Sequence, residues 1–442
     1  MEKLTSDIVN TGEQAPVDDV NLETVSDDYF ARQKMILSKE ASKLIKNVKI
    51  LVVGVGAGGN EVLKNLLLMG FGNITIVDFD HIENSNLSRT TLFRKEDIGK
   101  SKAVVAAKRL TEMALHKSPN IRAIHGNFMT EVGKSIFWEH DIVICCVDTQ
   151  KGRAYINDWC VRSNTPFFEM GFSNFDVNVC FFAPEGDILQ ADGTRKDKLP
   201  SDDGVFPKLE GEFPVCLREE IGVEIFDEKR NSCSNNIVQD INLTKIPTIQ
   251  VSAAMAGVLV AMELIKYLDG KDTIRNRMLM FFGRTYRTDI FNYQRNPACC
   301  VHNEKIDEVL SIEVDNSTTL KDFIQRISAR LNTQIILNLP EKYFISGICH
   351  ICGKMLVHNK RDSEFRHHES WCEDCRNRYP NYEDIKNFGK DPSLEPTEIS
   401  LDLSEEILGR TLSQVGIPEN DILEVLAISE TDFKTCYVTN KR

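Results

Sequence analysis

The chain has 442 residues, 42% of them hydrophobic and 27% charged, with a net charge of −13 at pH 7. That length exceeds one ordinary core and points to two or three domains of a globular protein. The acidic balance argues against a nucleic-acid partner, whose phosphates need a basic field, and the want of an 18-residue apolar run argues against a membrane partner. The opening MEKLTSDIVNTGEQAP carries neither the basic nor the apolar part of a secretory signal, so a cytoplasmic location is expected. There the 13 cysteines read as metal ligands, nucleophiles or small buried hydrophobes rather than as disulfides.

Residues 1–27 are polar and acidic and read as a flexible tail. From Tyr29 a helical segment, YFARQKMILSKEASKLIKN, leads into KILVVGVGAGG. Apolar strands then alternate with amphipathic helices: NITIVDFD, KAVVAAKRLTEMALH, DIVICCVD, GRAYINDWCVRSN and PFFEMGF. The alternation predicts an α/β fold, a Rossmann-like and mostly parallel sheet with helices on both faces. Residues 184–246 break the pattern as a crossover loop with two isolated cysteines. An apolar helix, IQVSAAMAGVLVAMELIKYL, and strands near 278–293 close a first domain, set at 28–304. A smaller α+β domain is expected over 305–442. Its pieces are a strand (EVLSIEV), a helix (TLKDFIQRISARL) and a strand (QIILNL), then a Cys- and His-rich segment at 346–380, then EISLDL, GRTLSQVGI and ILEVLAI.

Gly54, Gly56 and Gly59 lie in a GVGAGG turn between a strand and a helix, where glycines let backbone N–H groups approach a phosphate at a helix N-terminus. Asp78 ends the next strand at the spacing of a ribose-binding acid. Taken alone this would suit NAD. Asp80, Asn86, Arg89, Lys102 and Asp148, however, all fall on loops leaving the C-terminal sheet edge, and a nicotinamide slot has little use for two cations and spare carboxylates. ATP does: the cations would neutralise a triphosphate while its α-phosphorus is attacked, and Asp148 would hold Mg²⁺.

The runs DFDHIENSNLSRTTLF and DIGKSKAVVAAKRL resemble the adenylation domain shared by ubiquitin-activating-type enzymes and the sulfur-carrier adenylyltransferases (ThiF/MoeB-like), over about residues 29–180 and again over 247–300. The resemblance implies that Asp78 binds ribose, that Asn86, Arg89 and Lys102 bind the phosphates, and that Asp148 serves the magnesium. Tyr29-Phe30-Ala31-Arg32-Gln33 is similar to the segment whose arginine completes a partner subunit's ATP site, so Arg32 implies a homodimer. The implied reaction is attack of a protein's C-terminal carboxylate on ATP, with release of pyrophosphate. The implied partners are a ubiquitin-like protein and a conjugating enzyme.

Family members differ in whether a cysteine then takes the acyl group. Cys233, in RNSCSNN of the crossover loop, is the first candidate, and Cys216, in EFPVCLREE, is the alternative; Cys216 also falls near a family zinc-ligand position. Cys145, Cys146, Cys160 and Cys180 lie in apolar settings and read as packing residues. The family's zinc uses two CxxC pairs; here the first is absent and the second is reduced to Cys299-Cys300.

Cys349, Cys352, Cys372 and Cys375 form two CxxC pairs 19 residues apart, the spacing of a structural Zn²⁺ ribbon. The surrounding strands and helix resemble the ubiquitin-fold (β-grasp) domain that recruits the conjugating enzyme. Rival readings are a sulfur-carrier adenylyltransferase without a thioester and a non-catalytic scaffold for a ubiquitin-like protein.

Overall fold

The computed structural model describes residues 29–115, 118–185, 213–218, 248–297, 299–303, 306, 309–340, 343–349, 351–361, 372–378, 398–399, 405–428 and 433–441. The acidic stretch 1–27, most of 184–246 and Cys233 with it lie outside the described residues.

The helical segment expected from Tyr29 is two helices, α1 (Ala31–Lys34) and α2 (Lys39–Asn47). The break falls at Ser38, whose hydroxyl accepts from the Ala41 N–H and so starts α2 as an N-cap. Its own N–H is donated to the Asp269 carboxylate (2.9 Å).

Eight strands form the large sheet: β1 (Lys49–Val53), β2 (Asn73–Asp78), β3 (Asn120–His125), β4 (Ile142–Cys145), β5 (Phe167–Ser173), β6 (Asp176–Phe182), β7 (Arg277–Phe282) and β8 (Arg287–Asn292). Their order is β3-β2-β1-β4-β5-β6-β7-β8. Pairing is parallel from β3 through to β5 and antiparallel from β5 to β8. The near-continuous apolar runs of β1 and β4 follow from burial on both faces. Ile50 and Val52 point into one core with Leu63, Leu66 and Phe168, while Leu51 and Val53 point into another with Val143, Trp138 and Trp159.

Connections between parallel strands are helical: α3 (Ala57–Leu68), α4 (Lys102–Met113), the short α5 (Ile136–Glu139) and α6 (Gln150–Arg162). After the crossover, α7 (Gln250–Leu268) packs on α3, with Gly257 set against Glu61 and Val62. Among the described residues α7 is the helix long and apolar enough to cross a membrane, but half of it is buried against this sheet. Val251, Met255, Val258 and Met262 form an apolar stripe on its solvent side.

A second, five-stranded sheet follows. Its strands are β9 (Val309–Glu313) and β10 (Gln334–Asn338) and, beyond the separate hairpin of β11 (Tyr343–Ile348) and β12 (Met355–Arg361), β13 (Glu398–Ile399), β14 (Ile422–Ile428) and β15 (Phe433–Lys441). The order is β13-β10-β14-β15-β9, with β15 and β9 parallel and the other pairs antiparallel. Helix α8 (Leu320–Leu331) covers one face with Leu320, Phe323, Ile324 and Ile327. Strands β3, β6, β12 and β15 and the start of β11 are additions to the sequence reading.

The two sheets are joined. The Lys134 N–H and ammonium donate to the two Asp421 carboxylate oxygens at 2.9 and 2.7 Å, with both residues buried. The Asp421 N–H in turn donates to Asn440 Oδ1 (2.7 Å), and Gly133 lies directly beneath the Glu419–Asn420 backbone. Val309 and Ile422 belong to the same apolar cluster as Phe128, Val132, Trp138 and Trp159.

Candidate active site

At the C-terminal ends of β1, β2 and β4 the sequence brings three loops together. Gly54 has φ +93°, and a Cβ there would sit 2.7 Å from the Cys146 carbonyl oxygen, so the turn requires glycine. A side chain on Gly59 would strike the Gly54 carbonyl. Gly56 caps α3 and has open space around it, which leaves the α3 N-terminus accessible to an anion. Asn60 is fully buried and locks this turn. Its amide donates to the Val55 and Gly56 carbonyls (2.9 and 3.0 Å) and its oxygen accepts from the Leu92 N–H (3.0 Å).

Asp78 receives the Val55 N–H at 2.6 Å and the Asp80 N–H at 2.7 Å. Burial pushes its carboxyl above the ordinary range, against the pull of those two N–H groups and of Lys102. Each oxygen keeps a lone pair for a ribose hydroxyl. Lys102, at the first turn of α4, is buried and donates to the half-exposed Asp80 carboxylate at 2.8 Å. Asn86 is buried and caps its own 3₁₀ turn by accepting from the Glu83 N–H, and Arg89 follows, half-buried. Asp148 is exposed on the loop between β4 and α6, where Thr149 caps α6 through the Gly152 N–H. An exposed carboxylate beside the glycine turn is the kind of donor that suits a hard cation such as Mg²⁺.

Arg32 lies elsewhere. Its neighbours pack at the far end of α3, Gln33 donating to the Met69 carbonyl and Phe30 lying on Gly70. A helix of 12 residues is about 18 Å long, so Arg32 is beyond reach of its own chain's glycine turn.

Of the two candidate nucleophiles, Cys233 lies outside the described residues. Cys216 is fully buried. Its sulfur is 3.9 Å from that of Cys299 and 3.6 Å from the Asn157 amide nitrogen. The hydrogen bond to Cys299, together with burial, drives its thiol far above the ordinary value, the reverse of what a nucleophile needs. Cys216, Cys299 and His302 each place a ligand atom within 4.8 Å of the others, so they form a group able to hold a metal. Cys145, Cys160 and Cys180 are buried, as expected of packing residues, while Cys146 is half-buried.

In the second unit Cys349 and Cys352 flank the turn between β11 and β12, and Cys372 and Cys375 open α9 (Glu373–Arg378). Their four sulfurs lie within 4.8 Å of one another. Cys352 and Cys372 are 3.6 Å apart, close to the about 3.8 Å edge that Zn–S bonds of about 2.3 Å imply for a tetrahedron. Burial opposes the Cys349 thiolate, yet the backbone amides of Cys372, Cys352 and Ile351 bring its value down to about 6. Burial and the neighbouring thiols push Cys375 up to about 12.

A glycine turn at a helix N-terminus, an acid at the end of the adjacent strand and charged residues on the same sheet edge define a nucleotide-binding α/β protein. The sequence profile of the ThiF family matches residues 30–301, and the chain belongs to that family. It is 42% identical over 132 residues to SUMO-activating enzyme subunit 2 of Dictyostelium discoideum, covering 30% of this chain and 20% of that protein. It is 38% identical over 184 residues to ubiquitin-activating enzyme E1 1 of Triticum aestivum, covering 39% and 17%. The NEDD8-activating enzyme E1 catalytic subunit of D. discoideum is 25% identical over 334 residues, covering 64% and 74%. The chain thus spans about a fifth of the first two relatives and three-quarters of the third. A crystal structure of E. coli MccB with MccA-N7isoASN superposes with a TM-score of 0.46 at 20% identity, over 63% of this chain and 75% of that one.

Two features around the site carry no sequence motif: the lock made by Asn60 and the buried pair of Arg153 with Glu169. The residue directly after the last glycine was a usable signal for the first.

Proposed function

We propose that the chain activates the C-terminus of a ubiquitin-like protein with ATP, as the names of its relatives suggest for them. One observation carries the reading: in a ThiF-family fold, Asp78, Asp80 and Lys102 converge on the Gly54–Gly59 turn. The α3 N-terminus and Gly56 receive phosphate, Asp78 takes the ribose, and Arg89, Asn86 and Lys102 face the triphosphate. Lys102 can pass from Asp80 to a phosphate oxygen with its charge still compensated. A bound Mg²⁺ on Asp148 would add charge neutralisation at the leaving pyrophosphate. The partner's terminal carboxylate attacks the α-phosphorus. The bond from that phosphorus to the bridging oxygen breaks, and an acyl adenylate and pyrophosphate result.

The distance of Arg32 from its own glycine turn supports its use in a second copy's site, hence a homodimer, and the solvent-facing stripe of α7 offers apolar surface for such contact. The four clustered thiols of Cys349, Cys352, Cys372 and Cys375 support a structural Zn²⁺, and the five-stranded sheet with α8, from which the thiol-bearing hairpin projects, is read as a ubiquitin-fold-like domain that recruits a conjugating enzyme. The need for reduced thiols agrees with the cytoplasm.

In the transfer step a thiolate attacks the adenylate carbonyl, a thioester forms and AMP leaves. Burial of Cys216 in a group with Cys299 and His302 favours Cys233 for that role. The same burial lends weight to a second reading, a sulfur-carrier-type adenylyltransferase with no thioester. The test is incubation with ATP and a panel of ubiquitin-like proteins, followed by pyrophosphate exchange and gels with and without reductant. Expected are exchange with one panel member and a reductant-sensitive adduct that Cys233→Ala abolishes and Cys216→Ala keeps. Exchange with no adduct selects the second reading, and no exchange with any member rejects both.

A further inference from the structure

The loop that carries Asp148 is held from behind by a chain of polar groups centred on a buried ion pair. Arg153, one turn into α6, donates Nε–H to the Val147 carbonyl at 3.1 Å and Nη1–H to Glu169 on β5. Arg153 and Glu169 are both buried. The other oxygen of Glu169 accepts from the Asn178 amide on β6 at 3.4 Å. Asn178 can lie there because its register partner on β5 is Gly171, where any side chain would collide with it. Four elements are thus linked, from β6 through β5 and α6 to the peptide just before Asp148. That peptide's neighbour, the Cys146 carbonyl, forms the wall against which Gly54 turns.

We infer that Arg153 is a positioning residue for the adenylation site, its planar fork fixing the Val147 peptide and through it both the direction of the Asp148 carboxylate and the floor of the glycine turn. A buried charge pair is a costly way to hold a loop unless the loop's exact place matters, and an apolar pair would pack there as well. Arginine suits the task because one rigid guanidinium serves two acceptors at once, which a lysine ammonium on a flexible stem does not. The inference rests on the proposed role of Asp148 toward Mg²⁺.

Arg153→Lys tests it, since the charge beside Glu169 is kept while the fork is lost. Calorimetry would measure binding of α,β-methylene ATP at a series of Mg²⁺ concentrations, with pyrophosphate exchange run alongside. Outer partners of metal ligands are typically worth 10- to 100-fold in metal affinity. Arg153→Lys should therefore raise the Mg²⁺ concentration for half-saturation about tenfold, with Mg²⁺-free binding of the analogue held within about twofold of the parent. Asn178→Ala, a milder change at the far end of the chain of contacts, should shift the same midpoint about threefold and keeps the test open should the first variant not fold. Unchanged midpoints overturn the inference. So does an equal loss of binding with and without Mg²⁺, which would assign Arg153 to packing alone. Asp148→Ala separates the two levels: if it too keeps the parent's Mg²⁺ midpoint, the role given to Asp148 fails and the inference falls with it.

Discussion

The two sheets hold their chemistry in different ways. At the edge of the large sheet the candidate site is made of backbone turns and buried polar groups, each answered by another protein group: Asn60 by three backbone partners, Asp78 by two N–H groups, Lys102 by Asp80. Its shape belongs to the fold. The knuckle beside the small sheet has three buried thiols and little apolar cover beyond Ile351 and Leu356. Its shape would belong to the metal, because four thiols this close gain little from packing and much from a shared ion. The first site should keep its shape without a ligand, and the second should not.

The largest expected effect comes from the joint between the sheets. Lys134→Ala leaves the Asp421 carboxylate buried without its ammonium, a change that typically costs about 3–5 kcal/mol. Because Val309 and Ile422 share a cluster with Trp138 and Trp159, denaturant unfolding should remain one transition moved to lower midpoint. Two separated transitions, with only the second displaced, would break the picture of a joined core. Lys134→Met with Asp421→Asn should recover part of the loss.

Next in size is metal removal. Cys352→Ser should reduce zinc, measured by plasma emission, by about one ion per chain, since a four-thiolate site rarely tolerates a lost ligand. Pyrophosphate exchange should stay within about twofold, the nucleotide site being built without that metal. A large fall in exchange would mean that the two regions are not independent.

The smallest effect concerns pH. Burial works against the charge of Asp269, but hydrogen bonds from Lys271 and Ser38 hold its carboxyl down to about 2. A depressed carboxyl stabilises the fold above its ordinary value near 3.8 and loses that contribution as pH falls toward 2. Asp269→Asn should therefore cost about 1 kcal/mol at neutral pH through a lost charge-assisted bond at the start of α2. The stability gap between variant and parent should start to narrow below about pH 4 and close only near or below pH 2. A gap that persists there would assign the loss to something other than the carboxylate's charge.

Much of the large sheet was legible in the sequence because its signals are local. The alternation of apolar strands and helices, the glycine turn and the acid at position 78 each occupy a few adjacent residues. Strand β3 escaped because NIRAIH lies at the sheet edge with Asn120 and His125 exposed, so its apolar content is thin. Strand β15 pairs in parallel with β9, more than a hundred residues earlier in the chain, and no local pattern reports such a partner. Lys134 and Asp421 are 287 positions apart and read singly as ordinary surface charges. Arg153 likewise gains meaning only when Glu169 and Val147 stand beside it. The continuous helix from Tyr29 failed for a local reason, since Ser38 followed by Lys-Glu-Ala is a helix start and the residues before it were read past.

The seam at Gly133 and Lys134 bears on how the gene can be cut. An expression fragment ending near residue 304 would strip Val309 and Ile422 from Phe128, Val132 and Trp138 and leave the Lys134 ammonium facing a vacated wall of apolar side chains. Such a surface is sticky, and the shortened product should collect in inclusion bodies or on chaperones. Fusions and swapped tails therefore need to keep Asp421 and Ile422 on the same chain as Gly133 and Lys134. Lineages that shuffle the tail of this chain would be expected to carry the 131–135 loop along with it.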